Sequence, residues 1–144
     1  MKAIVEIRLA ITDDAVNRCF PIMKQLRPHL VREDFATQVH RQREGGYQLA
    51  YLEDSNAVRT VAGFRVEEKL AHGVYLYVDD LVTDVRVRSG GYGAAMLDWL
   101  ANFARGHGCA LLALDSGVQR GRAHRFYFTH GLQISGYRFQ QALA

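Results

Sequence analysis

The sequence has 144 residues, 49% hydrophobic and 23% charged, a profile typical of one ordinary globular domain. Lysine and arginine number 18 against 15 acidic residues, a mild excess that lacks the basic stripe of a nucleic-acid-binding surface. No apolar run approaches the roughly 20 residues needed to span a bilayer. Cys19 and Cys109 fit neither a disulfide framework nor a zinc site, and their apolar neighbours predict buried, unreactive thiols. We therefore expect a soluble cytoplasmic protein that binds neither nucleic acid nor membrane.

The N-terminal part of the chain is expected to form one strand and two helices. Residues 2–9 alternate between apolar and polar side chains, as a strand does. Thr12 offers an N-cap oxygen just before two acidic residues, so a helix should begin there. Pro21 lies inside this helical pattern and predicts a kink or a break into two short helices. Beyond Pro28, a second helix is expected over 32–44, where two glycines follow.

Three strands are expected next. Residues 47–52 and 58–66 are predicted to form a hairpin around a polar turn. Residues 74–78, continued by 81–82, are apolar on both faces, which is typical of a central strand.

The C-terminal part predicts a helix over 92–106, a strand over 109–114 that is buried on both sides, and a short helix over 120–130. Residues 134–143 are expected to form a last strand. The predicted fold is α/β, a single domain over 1–144. Its sheet is mixed and mostly antiparallel, with about six to seven strands flanked by about four helices.

The central strand is joined to the next helix by a glycine-rich turn, Arg88-Ser89-Gly90-Gly91-Tyr92-Gly93. A helix N-terminus has unpaired N–H groups and a positive dipole end, and glycines let an anion come close. A nucleoside-triphosphate loop would need Lys after the glycines, and none follows here. A dinucleotide fingerprint would need a small residue where Met96 stands. The turn therefore predicts an anion site for another kind of ligand.

This turn resembles the signature of the GNAT superfamily of N-acetyltransferases, which is Gln or Arg, two residues, Gly, one residue, then Gly or Ala. A second segment over 123–132, Ala-His-Arg-Phe-Tyr-Phe-Thr-His-Gly-Leu, resembles the family's Ala-x-x-Phe-Tyr-x-x-x-Gly-Phe motif. The predicted order of strands and helices is also similar to that of the family. The resemblance covers nearly the whole chain and implies a GNAT-like fold that takes acetyl-CoA as co-substrate.

The resemblance implies which residues bind the cofactor. In the family, backbone N–H groups of the turn bind the coenzyme A pyrophosphate, and the fourth strand pairs with the pantetheine arm. The matching positions are Arg88, Ser89, Gly90, Gly91, Tyr92, Gly93 and Ala94 in the turn, and Leu81, Val82 and Thr83 in the strand. Arg120 stands where many members have Asn, and is expected either to reach a cofactor phosphate or to lie at the surface.

The resemblance also implies a catalytic acid and a catalytic base. Tyr127 corresponds to the tyrosine that protonates the departing thiolate in many members, the alternative being an aromatic residue of the core. The attacking amine must lose a proton, and Asp79 and Asp80 are the candidate bases, the alternative being solvated charges at the strand end. Adjacent residues of a strand point to opposite faces, so at most one of these two should face the site directly.

These features predict an enzyme that transfers an acetyl group from acetyl-CoA to a primary amine of a small molecule or peptide. Direct attack in a ternary complex is expected, because no Ser or Cys nucleophile motif is present. The alternative is a non-catalytic acyl-CoA-binding regulatory module. Similar proteins also suggest a homodimer. The six histidines show no metal-ligand spacing, so no metal is expected.

Overall fold

The computed structural model of the chain describes residues 5–144, apart from the side chain of Ser89. In chain order its elements are β1 (Val5–Leu9), α1 (Asp13–Leu26), α2 (Arg32–Glu44), β2 (Gln48–Asp54), β3 (Ala57–Lys69), β4 (Gly73–Thr83), a 3-10 helix (Val85–Gly90), α3 (Tyr92–Gly106), β5 (Leu112–Leu114) and α4 (Gly121–Thr129). The chain divides into two compact units, one ending at Ala113 and the other beginning at Leu114.

The strands form one sheet in the order β1-β2-β3-β4-β5. The first four pair antiparallel with their neighbours in sequence. The two residues that lead into β5 bond to β4: the N–H of Ala110 donates to the carbonyl of Val74, at 2.8 Å, and the N–H of Leu76 donates to the carbonyl of Leu111, at 3.0 Å. The bonded positions advance in the same direction along the two segments, so β5 runs parallel to β4. The predicted α/β class with a mixed, mostly antiparallel sheet and four helices is confirmed.

The predicted number of strands was too high, because the described residues contain five and not six or seven. Residues 134–143 were expected to form the last strand, but they are not in a strand in this structure. Their apolar side chains remain in water, with Ile134 65%, Tyr137 82% and Phe139 93% exposed. An alternating pattern indicates what a segment can bury, whereas a strand forms only where backbone groups meet a partner.

The strand expected over 109–114 is shorter than predicted, spans Leu112–Leu114 and is only half-buried. The reason lies at the end of α3. Gly108 adopts a left-handed φ of +73°, and the N–H of Cys109 bonds back to the carbonyl of Ala104 at 2.9 Å. This arrangement terminates the helix with Cys109 still attached to it, so the strand begins later.

Helix α1 begins as predicted, with the Thr12 hydroxyl accepting a hydrogen bond from the N–H of Ala15 at 3.1 Å. The predicted break at Pro21 is absent, because one helix runs over Asp13–Leu26. Pro21 lies on the exposed face of that helix. The carbonyl that loses its N–H partner there can be solvated, which makes the proline tolerable. No helix within residues 5–144 combines the length and apolar character that crossing a bilayer requires.

The two faces of the sheet carry different packing. On one face, Val16, Cys19 and Phe20 of α1 join a core with side chains of α2, β2 and β3. On the other face, Phe64 of β3 makes edge contacts with Trp99 and Phe103 of α3, with ring centroids 6.0 and 5.1 Å apart. Burial among apolar groups stabilises both contacts.

The two cysteines differ in environment. Cys19 is buried as expected, and burial raises the pKa of its thiol to about 12, which keeps it protonated and unreactive. Cys109 is only half-buried, so the expectation that both thiols are buried is correct for one of them.

Candidate active site

Strand β4 contains a bulge at the acid pair, Asp79 and Asp80. Across the β3–β4 ladder Gly63 faces Asp80, whereas Phe64 faces Val78, so Asp79 has no opposite residue. An extra residue in one strand reverses the alternation of side chains beyond it. Val78 is therefore on the α3 face with Phe64, and Val82 is in the core that α1 and α2 cover.

The bulge also overturns the expectation that the two acids point to opposite faces. The Asp80 carboxylate accepts hydrogen bonds from Nε of Arg27 and from the Tyr47 hydroxyl, both at 2.9 Å. The Asp79 carboxylate accepts from Nε of Arg65 at 3.0 Å, and the Arg65 guanidinium lies over the Tyr47 ring. Both carboxylates therefore border one cluster around Tyr47. Strict alternation fails here because Asp79 is the extra residue.

Gly63 makes this cluster possible. A Cβ atom at position 63 would lie 1.8 Å from the Tyr47 hydroxyl oxygen, a distance no real side chain could keep. The tyrosine ring can thus cross the strand and reach Asp80 only because residue 63 has no side chain. An isolated glycine inside a strand pattern is a sequence signal for such a close approach.

The environment changes the acidity of two groups in the cluster. Burial raises the pKa of Asp79, and the Arg65 guanidinium opposes this by favouring the charged form. Burial and the neighbouring Asp80 carboxylate raise the pKa of Tyr47 well above its usual range, so its hydroxyl stays a donor at neutral pH. Asp79 is thus a carboxylate with increased proton affinity, which suits a group that must accept a proton.

The glycine turn (Arg88–Gly93) follows β4 at its C-terminal end. The 3-10 helix over Val85–Gly90 ends at Gly91, whose φ of +79° is left-handed and favours glycine. Helix α3 then begins at Tyr92. Its first N–H groups have no acceptor within the helix, and the capping glycine has no side chain to supply one.

These residues fit an anionic group such as the pyrophosphate of coenzyme A. A Cβ atom added to Gly91 would meet no atom within 4 Å, so the backbone is open at that residue, whereas one added to Gly90 would lie 2.8 Å from the Tyr92 ring. The N–H groups of Tyr92, Gly93 and Ala94 are at the positive end of the α3 dipole. Arg88 is exposed beside them. The backbone of Ser89 lies in the 3-10 helix, and its side chain is outside the described part of the structure.

Sequence reasoning missed Asp84 and, although it placed Tyr92 in the turn, it missed the contact of the Tyr92 side chain. Asp84 caps the 3-10 helix by accepting a hydrogen bond from the N–H of Arg86 at 3.1 Å. Tyr92 donates from its hydroxyl to Asp54 at 2.5 Å. An Asp just before a turn is a cap signal that would have indicated Asp84. The Tyr92–Asp54 contact joins residues 38 positions apart and has no local signature.

The strand residues expected to contact the cofactor occupy the last part of β4. Leu81, Val82 and Thr83 pair with β3 on one side of the strand. On the other side, β5 has three residues against eleven in β4, and the two residues that precede β5 bond to Val74 and Leu76 near the start of β4. Most of that edge is therefore not paired by β5, which leaves backbone groups for an added extended ligand.

Tyr127 and Arg120 belong to the C-terminal unit, Tyr127 in α4 and Arg120 at its N-cap. Burial raises the pKa of Tyr127, and the positive charge of Arg120 opposes that shift. Tyr127 is half-buried and packs edge-on against Phe126, with ring centroids 5.5 Å apart, whereas Phe128 is exposed. Because its pKa is raised, the Tyr127 hydroxyl is protonated at neutral pH. Over residues 5–144, no three or more His, Cys, Asp or Glu side chains are arranged to hold a metal ion.

A strand that carries acids at a bulge and ends in a glycine turn at a helix N-terminus is compatible with a transferase that uses an anionic co-substrate such as acyl-CoA. The model of the acetyltransferase (GNAT) family matches residues 9–132 of the chain. The protein therefore belongs to the acetyltransferase (GNAT) family and is an acetyl-CoA-dependent N-acetyltransferase. The match extends across both compact units.

Two relatives and one solved structure show the likeness. An uncharacterized N-acetyltransferase of Bacillus subtilis (strain 168), YhdJ, is 36% identical over 125 residues, 85% of this chain and 87% of its own. The aminoalkylphosphonate N-acetyltransferase of Salmonella typhimurium (strain LT2) is 28% identical over 150 residues, 97% of this chain and 92% of its own. The aminoglycoside N-acetyltransferase AAC(6')-Iy, in complex with CoA, superposes with a TM-score of 0.87 at 10% identity, covering 99% of this chain and 97% of that one. The last comparison concerns the fold alone.

Proposed function

We propose that the protein transfers an acetyl group from acetyl-CoA to a primary amine by direct attack in a ternary complex. The observation that carries this proposal is the arrangement along β4, where the acid pair Asp79 and Asp80 precedes a glycine turn suited to an anion. One strand therefore offers a proton acceptor and a binding site for the co-substrate.

The turn would hold the co-substrate by its pyrophosphate. Backbone N–H groups over 89–94 supply donors, the positive end of the α3 dipole favours negative charge, and Arg88 adds a cation. The unpaired edge at Leu81, Val82 and Thr83 would hydrogen-bond the amides of the pantetheine arm as a sheet edge binds an extended peptide. Arg120 is a further candidate for a phosphate contact.

Acetyl-CoA supplies a thioester that a neutral amine can attack. An amine is mostly protonated at neutral pH, and we assign Asp79 to accept its proton, because burial raises the pKa of that carboxyl. Asp80 already accepts bonds from Arg27 and Tyr47, so its part is to hold the cluster in place. The two roles follow from the two environments.

Tyr127 is assigned to protonate the sulfur of the departing coenzyme A. A phenol whose pKa is raised by burial keeps its proton at neutral pH and can donate it to a thiolate as the carbon–sulfur bond breaks. Half-burial in α4 also limits the number of side-chain conformations the hydroxyl can adopt.

The proposed acceptor is a small molecule with a primary amine, and a peptide amine is the second candidate. Support for a small molecule comes from the Salmonella relative, which is named for aminoalkylphosphonates, and from the fold neighbour named for aminoglycosides. An acceptor screen with acetyl-CoA should therefore include an aminoalkylphosphonate, an aminoglycoside, simple alkylamines and a short peptide, with released thiol as the readout. If no amine in the panel releases thiol while coenzyme A binds, the non-catalytic module becomes the better description.

Replacement of Tyr127 by Phe tests the acid role. We expect Tyr127→Phe to lower kcat by about 100-fold, because the thiolate then leaves without a proton donor. The co-substrate should still bind with the affinity of the wild type, measured by calorimetric titration with coenzyme A. Tyr137→Phe removes the hydroxyl of an exposed tyrosine and is the matched control, expected to keep the full rate. An unchanged kcat in Tyr127→Phe would refute the assignment.

A further inference from the structure

Asp84, which the transfer chemistry above does not use, is a fully buried carboxylate directly before the glycine turn. Arg86 folds back on it, with Nη2 donating at 2.7 Å and Nε at 3.2 Å. The backbone N–H of Arg86 donates to the same carboxylate at 3.1 Å, and Nη1 of Arg59 lies 3.8 Å away. The pKa of Asp84 is held well below its usual range, chiefly by the Arg86 hydrogen bonds. The Asp84 side chain is therefore a buried carboxylate anion whose charge faces the guanidinium groups of Arg86 and Arg59.

A second set of contacts ties this carboxylate to α1. Nε2 of Gln25 donates to Asp84 at 3.2 Å, while Oε1 of the same amide accepts from the N–H of Val85 at 2.8 Å. The Asp84 carbonyl accepts from the N–H of Val87 at 3.0 Å, and the Asp84 N–H donates to the carbonyl of Arg59 at 2.7 Å. The first residues of the 3-10 helix are thus held from the side of α1 and from the side of β3.

The negative charge of Asp84 argues against a direct contact between this carboxylate and a phosphate group. A buried anion beside a phosphate site would weaken phosphate binding if it acted directly on the ligand. Its charge is balanced here by Arg86 and Arg59, so its remaining effect is on the shape of the backbone. Arg86, two residues before Arg88 in the sequence, bonds to Asp84 although 75% of its side chain is exposed.

We propose that Asp84, together with Gln25, is a positioning residue that holds Val85–Gly91 in the conformation that binds the co-substrate and couples it to helix α1. This inference rests on the proposed function, which assigns the turn to the pyrophosphate. Supporting residues of this kind matter because backbone donors must be aimed before the ligand arrives.

Two variants and a control test the proposal. Asp84→Asn removes the negative charge and replaces one carboxylate oxygen by an NH2 group, so some of the Arg86 donors lose their acceptor and the remaining contact is no longer charge-assisted. Gln25→Ala removes the link to α1 but leaves the Asp84–Arg86 contacts, and it decides the question if Asp84→Asn does not fold. Asp98→Asn makes the same chemical change at an exposed position of α3 and should behave as wild type.

Two measurements are made on each protein. The first is the Kd for coenzyme A, expected to rise about 10-fold in Asp84→Asn and less in Gln25→Ala, as is common when a supporting hydrogen bond is removed. The second is backbone hydrogen exchange without ligand. Exchange should become faster within 85–91 by a larger factor than in β2, β3 and the body of α3.

The outcomes distinguish the positioning role of Asp84 from the proposed binding of coenzyme A. Wild-type Kd and wild-type exchange in the folded variants would overturn the positioning role. An increase in exchange that is no larger within 85–91 than in the sheet would also overturn it, since that pattern indicates only a general loss of stability. If the wild type itself does not bind coenzyme A, the proposed function fails, while exchange at 85–91 still decides whether Asp84 orders the turn.

Discussion

Three aspartates at or beyond the bulge of β4 have the same side chain and three different environments. Asp79 is half-buried against Arg65, Asp80 is shared by Arg27 and Tyr47, and Asp84 is enclosed by donors. Burial raises the pKa of Asp79, whereas hydrogen bonds lower that of Asp84. Composition could not distinguish these residues, because a pKa depends on the groups that the fold places around the carboxyl.

The assignment of Asp79 as base predicts a pH dependence. Below its pKa the carboxyl is protonated and cannot accept the proton of the amine, so kcat/KM should fall as the pH decreases through that value. Since burial raises this pKa, the fall should be centred above about pH 4, the usual value for aspartate. Asp79→Asn should lower kcat/KM by about 100-fold and abolish this limb of the profile.

Matched variants distinguish Asp79 from Asp80 by the pH dependence of kcat/KM. Asp80→Asn should keep the acid limb of Asp79, although it loses rate through disturbance of the Tyr47 cluster. Asp98→Asn should reproduce the wild-type profile. Loss of the limb in Asp80→Asn but not in Asp79→Asn would transfer the role of base to Asp80.

At the scale of the elements, two bulges in the sheet decide which side chains the strands place on each face. The register of the sheet shifts between Leu52 and Glu53 and again between Gly63 and Phe64. The first shift leaves Arg59 without an opposite residue, and the second does the same for Asp79. Bulges commonly redirect a side chain, and here Arg59 lies near Asp84 while Asp79 bonds to Arg65.

The close approach at Gly63 yields a prediction for β3. Gly63→Ala should push the Tyr47 ring away from Asp80, because the added Cβ would lie 1.8 Å from the hydroxyl oxygen. We expect a loss of about 1–3 kcal/mol in the free energy of unfolding, as for overpacking in a core. Urea denaturation measures it, and kcat/KM should fall as well because the acid pair loses its support.

Gly106→Ala is the control for Gly63→Ala. A Cβ at position 106 would meet no atom within 4 Å, and Gly106 is the last residue of α3. Alanine there should be neutral or stabilise the protein by up to about 1 kcal/mol. Equal destabilisation by both substitutions would contradict the account of Gly63, since steric contact would then not be the cause.

At the scale of the whole molecule, stability at acid pH should depend on Asp84. Its pKa is lower in the folded state than in the unfolded chain, so its ionised form favours folding. This contribution is complete above the unfolded value of about 4 and is lost as the pH falls from there through the folded pKa.

Comparison of Asp84→Asn with wild type at two pH values checks this linkage. At pH 7 the variant should be less stable to urea by about 1–3 kcal/mol, the usual cost of leaving buried donors without an acceptor. The difference should shrink at pH 3 and below. A difference that is constant between pH 7 and pH 3 would exclude the charge of Asp84 as its source.

Several properties of the whole chain stay predictions. The family match covers residues 9–132, and a single domain over all 144 residues is our expectation. The homodimer, the cytoplasmic location, the roles of Arg120 and Tyr127 and the absence of a metal requirement are also predictions. Sedimentation analysis and metal-chelation assays address the oligomer and the metal.

The sequence by itself determined the features that depend on near neighbours in the chain. The start of α1 at Thr12, α2 over Arg32–Glu44, the hairpin of β2 and β3, and α3 after the glycine turn were all predicted from caps and periodicity. Two spaced motifs also identified the family, because each motif is a run of neighbouring residues that can be recognised without the fold.

Only the tertiary structure decided how distant residues meet. Asp80 pairs with Tyr47 across 33 positions, and Gln25 reaches Asp84 across 59. The failure of residues 134–143 to form a strand belongs to the same class. Strand pairing, bulges and buried ion pairs depend on partners that are remote in sequence, whereas caps and hydrophobic periods depend on residues a few positions away. The glycine turn at the start of α3 could therefore be predicted from sequence, but the residues that hold it in place could not.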